Sequence, residues 1–188
     1  MRDTDLYRQL LGLEDPWTVS RVDLDVKGQR VEVFAEHKKA KTWPCPECGV
    51  ACKLHDHDEE RVWRHLDSCH FQTFLHARIP RVNCAEHGVR QARVPWAEPR
   101  SRFTALFERL AIAVLLETDV SGAAKILGLS WDEAQHVKER AVARGLLRRP
   151  HQVPRLMGID EKSLAKGHRY ATIACDLEAG HVIGIAEG

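Results

Sequence analysis

The chain has 188 residues, 44% hydrophobic and 29% charged, with a formal net charge of +1. That balance fits a folded globular protein rather than a disordered one, in one large domain or two to three small ones. The longest apolar stretch, Leu106 to Leu116, contains Glu108 and Arg109 and is too short to span a bilayer. The opening MRDTDLYRQLLGLEDP has no apolar signal core, so a cytoplasmic location is expected and no membrane partner. In that compartment the six cysteines read as thiols or metal ligands rather than disulfides.

In chain order, residues 17 to 37 alternate, with Val22, Leu24 and Val26 before Lys27-Gly28-Gln29 and Val31, Val33 and Ala35 after it. Period two around a glycine-bearing turn predicts a β-hairpin. A knuckle at Pro44 to Gly49 follows, then extended stretches at Arg61 to Leu66 and Phe71 to Val82. Pro95, Pro99 and Ser101 mark a linker. From Thr104 to Leu147 the period is helical; from Arg155 strands return, at Leu156 to Asp160, Arg169 to Asp176 and His181 to Ala186. The expected class is α+β and multi-domain: a β module over 1–100, helices over 101–150, and a β unit over 151–188.

Cys45-Pro-Glu-Cys48-Gly49 and Cys84-Ala-Glu-His87-Gly88 are two short ligand pairs, each followed by glycine and separated by strand-like sequence. Such pairs can close a tetrahedral Cys₃His site, for which Zn²⁺ is the natural occupant. Cys52 and Cys69 lie outside the pairs and read as free thiols, and Cys175 as a core residue. The histidines at 55, 57, 65, 70 and 76 match no compact second site and read as surface and hydrogen-bonding groups.

Residues Thr118 to Gly145 carry the spacing of a helix-turn-helix. Ala123, Ala124 and Leu127 make an inner face, Gly128 a tight turn, and Ser130 with Glu133 a capping box. Ala134, Val137 and Ala141 then face inward, leaving Asp132, Gln135, His136, Glu139 and Arg140 for a reading face in the major groove. Lys138, Arg144, Arg148 and Arg149 are placed as phosphate contacts. The window Arg100 to Arg155 has ten Lys/Arg against six acids, a local +4. Trp131 reads as packing rather than base stacking. A helical hairpin for oligomerisation would share much of this pattern.

In the last unit Asp160 ends the apolar run Leu156-Met157-Gly158-Ile159, beside Glu161. An acid there suits a metal ligand, although an acid at a strand end is more often a turn residue. Three strands opening with such an acid match the start of an RNase H-like fold.

Seven ordered segments carry a resemblance over nearly the whole chain: HDHDEERVWRHLD (55–67), HARIPRVNCAEHGV (76–89), VPWAEPRSRFT (94–104), FERLAI (107–112), LSWDEA (129–134), ERAVARGL (139–146) and GIDEKSLAKGHRYATIACDL (158–177). The chain resembles the insertion-sequence transposases of the ISL-three family. The resemblance implies a zinc-ribbon-like domain, a helix-turn-helix and an RNase H-like catalytic domain of the DDE type, in a bacterial, nucleoid-associated protein that binds transposon terminal repeats. It maps the first of three catalytic acids onto Asp160; in a complete domain such acids hold two Mg²⁺ ions. Asp176 is instead a turn residue. Because family members continue past the point where this chain stops, the expectation is a fragment that binds end DNA without strand transfer, with another copy or a full-length transposase as protein partner. A zinc-containing helix-turn-helix transcriptional regulator and a protein-binding adaptor are the competing readings. The 158–177 motif argues against the first, and salt-dependent DNA binding would argue against the second.

Overall fold

A computed structural model of the chain describes residues 2–38, 42–149, 153–165 and 169–187. It divides into two compact units, Met1–Val142 and Ala143–Gly188.

The first unit is built on a six-stranded sheet. After helix α1 (Asp3–Leu10) come β1 (Trp17–Asp25), β2 (Arg30–His37), β3 (Trp43–Pro44), β4 (Ala51–Ser68), β5 (Phe71–Cys84) and β6 (Gly88–Gln91). The spatial order is β1-β2-β5-β4-β3, with β6 also on β5. The β1–β2 hairpin is the one expected, although its left-handed turn residue is Gln29 at φ 51° rather than Gly28. Extended stretches expected at 61–66 and 71–82 are parts of a long β4–β5 hairpin. One edge of β5 pairs along its length with β4; β2 pairs with Gln72–Ala77, parallel, and β6 with Arg81–Cys84.

Alternation along these strands sends one row inward. Val33, Leu75 and Trp63 stand beside one another across β2, β5 and β4 and are fully buried. Trp17, Trp43, Trp63 and Trp96 join them as an edge-to-face cluster, with centroids 4.7–5.8 Å apart along Trp43–Trp17–Trp96–Trp63. Aromatic pairs in this geometry contribute beyond the area they bury. Register shifts at three places in the β4–β5 ladder accompany this packing, and such irregularities bend a strand.

The helices α2 (Ala105–Glu117), α3 (Val120–Leu127) and the first part of α4 (Trp131–Arg148) form a second core around Phe103, Phe107, Ala111, Ala123, Leu127 and Val137. This core is fastened to the outer edge of β4. Arg64 N–H donates to Arg102 O (2.9 Å) and Thr104 N–H to Arg64 O (3.0 Å). The buried Arg64 guanidinium donates to His65 O, pairs with Asp67, and lies over the rings of Phe74 and Phe107. Thr104 caps α2 by accepting from Phe107 N–H, and its hydroxyl hydrogen-bonds His65 Nδ1 at 2.9 Å.

The second unit carries the end of α4 and a separate antiparallel sheet in the order β7-β8-β9: β7 (Met157–Ala165), β8 (Arg169–Asp176) and β9 (His181–Glu187). Asp176 accepts from the backbone N–H groups of Glu178 and Ala179, and Gly180 at φ 67° completes the turn into β9. Among the described residues no helix is long and apolar enough to cross a membrane.

His65 makes the junction sensitive to acid. Burial, aided by the Arg64 charge, lowers its pKa to about 4, and its side chain is 5% exposed. Between the unfolded value near 6.5 and about 4 the unfolded chain binds the extra proton. The stability His65 contributes is therefore complete above about pH 6.5 and falls away toward pH 4, a loss of roughly 3 kcal/mol. Denaturant unfolding at pH 7 and pH 4.5 should show a smaller drop in His65→Gln than in the parent; an equal drop would remove His65 as the cause.

Candidate metal centre and nucleic-acid interface

The two expected ligand pairs are the tips of neighbouring hairpins. Trp43-Pro44 pair with Ala51-Cys52, which makes residues 45–50 a hairpin loop. Cys84 pairs with Gly88, which makes residues 85–87 another. Pairing of Lys53 with Asn83 sets the loops side by side. Gly49 (φ 75°) and Gly88 (φ 68°) take the left-handed conformation directly after the second ligand of each pair. A side chain at either position would be strained by the backbone. Gly49 N–H donates to Cys45 O and Cys45 N–H to Val50 O, closing the first knuckle.

The ligand atoms of Cys45, Cys48, Cys84 and His87 all lie within 4.8 Å of one another. Cys48 Sγ is 3.7 Å from Cys84 Sγ, and His87 Nδ1 is 3.6 Å from Cys84 Sγ and 3.9 Å from Cys45 Sγ. A tetrahedral zinc with bonds of about 2.3 Å to sulfur and 2.0 Å to nitrogen separates its ligands by roughly 3.5–3.8 Å. The donor set and its spacing therefore fit a structural Zn²⁺ with no open position. The His87 backbone N–H, then its imidazole and the Glu86 N–H, hold the Cys84 thiol down to about 6, favouring the thiolate that a metal needs. Cys52 is outside the cluster: it is buried, its thiol donates to Val50 O at 3.3 Å, and burial pushes its pKa up. Cys69 is exposed and Cys175 half-buried.

No second metal cluster occurs among the described residues. His76 bridges Glu32 and Glu60, His37 and His57 stack with Nε2 atoms 2.7 Å apart, and His55 lies beside Asp56. Asp160 does not end its strand. It sits in the middle of β7 opposite Ile173 and is exposed. Among the described residues it belongs to no cluster of metal-ligating side chains.

The helix-turn-helix is α3, a turn and α4. Gly128 ends α3 at φ 64°, ψ 40°, and Leu129 N–H returns to Ala124 O. The capping box is complete: Ser130 N–H donates to Glu133 Oε2 at 3.0 Å and Glu133 N–H to Ser130 Oγ at 3.2 Å. Ala134 and Val137 are buried, with Ala141 only half so. Asp132, His136, Lys138 and Glu139 are exposed and Gln135 is half-exposed, its amide donating to Glu139.

Arg140 is engaged elsewhere than on the expected face. Its Nη2 lies 2.6 Å from Glu108 Oε1, whose side chain is 4% exposed and also accepts from Ser101 Oγ. A buried carboxylate needs a cation, and Arg140 points inward to supply it rather than outward to a base. In the second unit Arg148 is exposed, with Nε donating to Arg144 O. Arg144 and Arg149 are half-buried, and Arg149 has one guanidinium nitrogen buried without a hydrogen-bond partner among the described residues. The sequence reading also missed α1, whose Tyr7 hydroxyl donates to Ser68; Leu6, Tyr7, Leu10 and Leu11 carried its helical spacing.

Residues 41–87 match a family described as the zinc-finger of transposase IS204/IS1001/IS1096/IS1165. Residues 92–137 match the helix-turn-helix domain of transposase family ISL3. The transposase for insertion sequence element IS1557 of Mycobacterium tuberculosis (strain H37Rv) is 28% identical over 194 residues, covering 100% of this chain and 44% of that protein. The transposase for insertion sequence element IS1001 of Bordetella parapertussis is 28% identical over 192 residues, covering 100% of this chain and 46% of that protein. The chain thus spans under half the length of these curated relatives. No solved structure matches.

Two outcomes follow from this geometry. Elemental analysis should find one zinc per chain, absent or sharply reduced in Cys45→Ser together with a lowered melting temperature; a metal-free variant of undiminished stability would show the cluster is not structural. Arg140→Ala should destabilise the DNA-free protein by roughly 3 kcal/mol, because it strands Glu108. Unchanged denaturant unfolding would return Arg140 to the reading face.

Proposed function

Because the chain carries the zinc-finger and helix-turn-helix domains of ISL3-family transposases, we propose that it performs the end-recognition step of DNA transposition. In this reading the zinc knuckles hold the sheet on which the helices dock, and α4 enters the major groove of transposon-end DNA. The observation that carries it is the exposed N-terminal face of α4, presented by the Gly128 turn and the Ser130–Glu133 box within the matched helix-turn-helix. Gln135 is assigned the base contact, since a carboxamide suits adenine, with Asp132, His136 and Glu139 flanking it. Lys138 and Arg148 are assigned to phosphates, with Arg144 and Arg149 beside them. The proposed domain limits are 1–100, 101–150 and 151–188, the last being the opening strands of an RNase H-like domain. Asp160 is there the first of the acids that a complete catalytic domain assembles around Mg²⁺. We assign binding, and no strand cleavage or transfer, to these residues acting alone.

The test starts from sequences selected by the zinc-loaded chain from a randomised duplex library. Gln135→Ala should lose roughly 1–3 kcal/mol of preference for the selected sequence over random duplex. Arg148→Gln should weaken both alike. Equal weakening of both duplexes by Gln135→Ala would refute the groove assignment.

A further inference from the structure

We propose that an arginine-lined cleft in the first unit is a second nucleic-acid contact, which grips the phosphodiester backbone without reading sequence; this rests on the DNA-binding reading above. The cleft, about 700 Å³, has walls from the first zinc knuckle (Pro46), from β4 (Arg61) and from the chain after the second knuckle (Arg90, Arg93, Arg100). It spans both matched segments, 41–87 and 92–137.

The pairing of arginines singles it out. The first unit has fourteen arginines. Eight form ion pairs with Asp or Glu, at 2, 8, 21, 30, 64, 81, 102 and 140. Of the six with no carboxylate partner among the described residues, four (61, 90, 93 and 100) line this one cleft. Only two acids, Glu47 and Glu98, share its lining, so the concavity carries a local excess of positive charge. Charge left unneutralised in a concave surface attracts and concentrates an anionic partner.

Three of the four guanidiniums are already held in place. Arg61 Nη2 donates to Ser101 O at 3.1 Å while its guanidinium lies 4.9 Å from the Trp63 ring centroid. Arg93 Nη2 donates to Pro46 O at 2.7 Å and Arg90 Nη1 to Val89 O at 3.0 Å. A guanidinium has five N–H donors, so one backbone bond fixes each group and leaves others for an incoming anion. A planar fork so held matches phosphate oxygens and loses little freedom on binding. Several forks along one cleft suit a polymer with a charge at every unit. All these contacts are to backbone phosphates, so they add affinity and register but no base preference.

The experiment uses the full zinc-loaded chain with two labelled probes, a short random duplex and a single strand of the same length. The readout is the slope of log affinity against log salt. R90Q/R93Q/R100Q should flatten the duplex slope by about 2–3, near 0.9 per lost phosphate contact, with zinc content and preference for the selected sequence unchanged. The lysine version, R90K/R93K/R100K, should keep the slope and guards against misfolding of the neutral variant. Flattening on the single strand alone, by about 2, would identify the strand rather than the duplex as the source of the same phosphodiester contact. Parental slopes on both probes for R90Q/R93Q/R100Q, while R148Q flattens the duplex slope, would overturn the cleft and leave the helix reading standing. A parent chain that binds neither probe would overturn both.

Discussion

Strand β4 is held along both edges, and the rest of the first unit depends on that double engagement. On one side β5 pairs with it from Lys53 to Ser68, which brings the two knuckle loops together at one end of the hairpin. On the other side β3 pairs with Ala51-Cys52 and the chain at Phe103 pairs with Arg64, which fastens the helices. A strand used this way leaves no free row of amides at the positions that matter, so the metal centre and the helix-turn-helix share one framework. The consecutive burial of Trp63, Arg64 and His65 follows from the same cause. With neighbours on both faces and both edges, alternation no longer separates core from solvent.

What could be read from the sequence was local, and what could not depended on distant partners. The metal ligands were legible because each pair is local, three residues apart and closed by a glycine. So was the turn of the helix-turn-helix, since Gly128, Ser130 and Glu133 satisfy one another within a single stretch of chain. The β1–β2 hairpin and the β8–β9 turn were equally local. Arg140 was misread because its partner, Glu108, lies 32 positions away on another helix, and nothing in the α4 pattern announces a buried acid there. Helical periodicity gives the face a residue occupies but not whether a long side chain turns back across it. Asp160 was read as ending a strand because acids are rare in buried strands. β7 is exposed along its described side chains, so the acid does not interrupt it.

The same contrast separates the two kinds of arginine in the first unit. Arg64 and Arg140 serve the fold: each meets a carboxylate, Asp67 and Glu108 respectively. Arg90, Arg93 and Arg100 fall in a segment whose one acid is Glu98, so the local sequence offers them little neutralisation. A chain with a net charge near zero can thus hold a concavity of locally positive charge, provided its acids are engaged elsewhere in internal pairs.

The placement of the tryptophans gives the molecule its own optical labels. Trp17, Trp43, Trp63 and Trp96 are buried in one aromatic cluster, and Trp43 stands two residues before the first metal ligand. Trp131, by contrast, is the first residue of α4 and is 53% exposed. Four indoles thus lie in an apolar environment shut off from solvent, whereas the fifth stands in contact with water. A change at the knuckles and a change at the start of α4 would therefore reach different indoles of a single unlabelled chain.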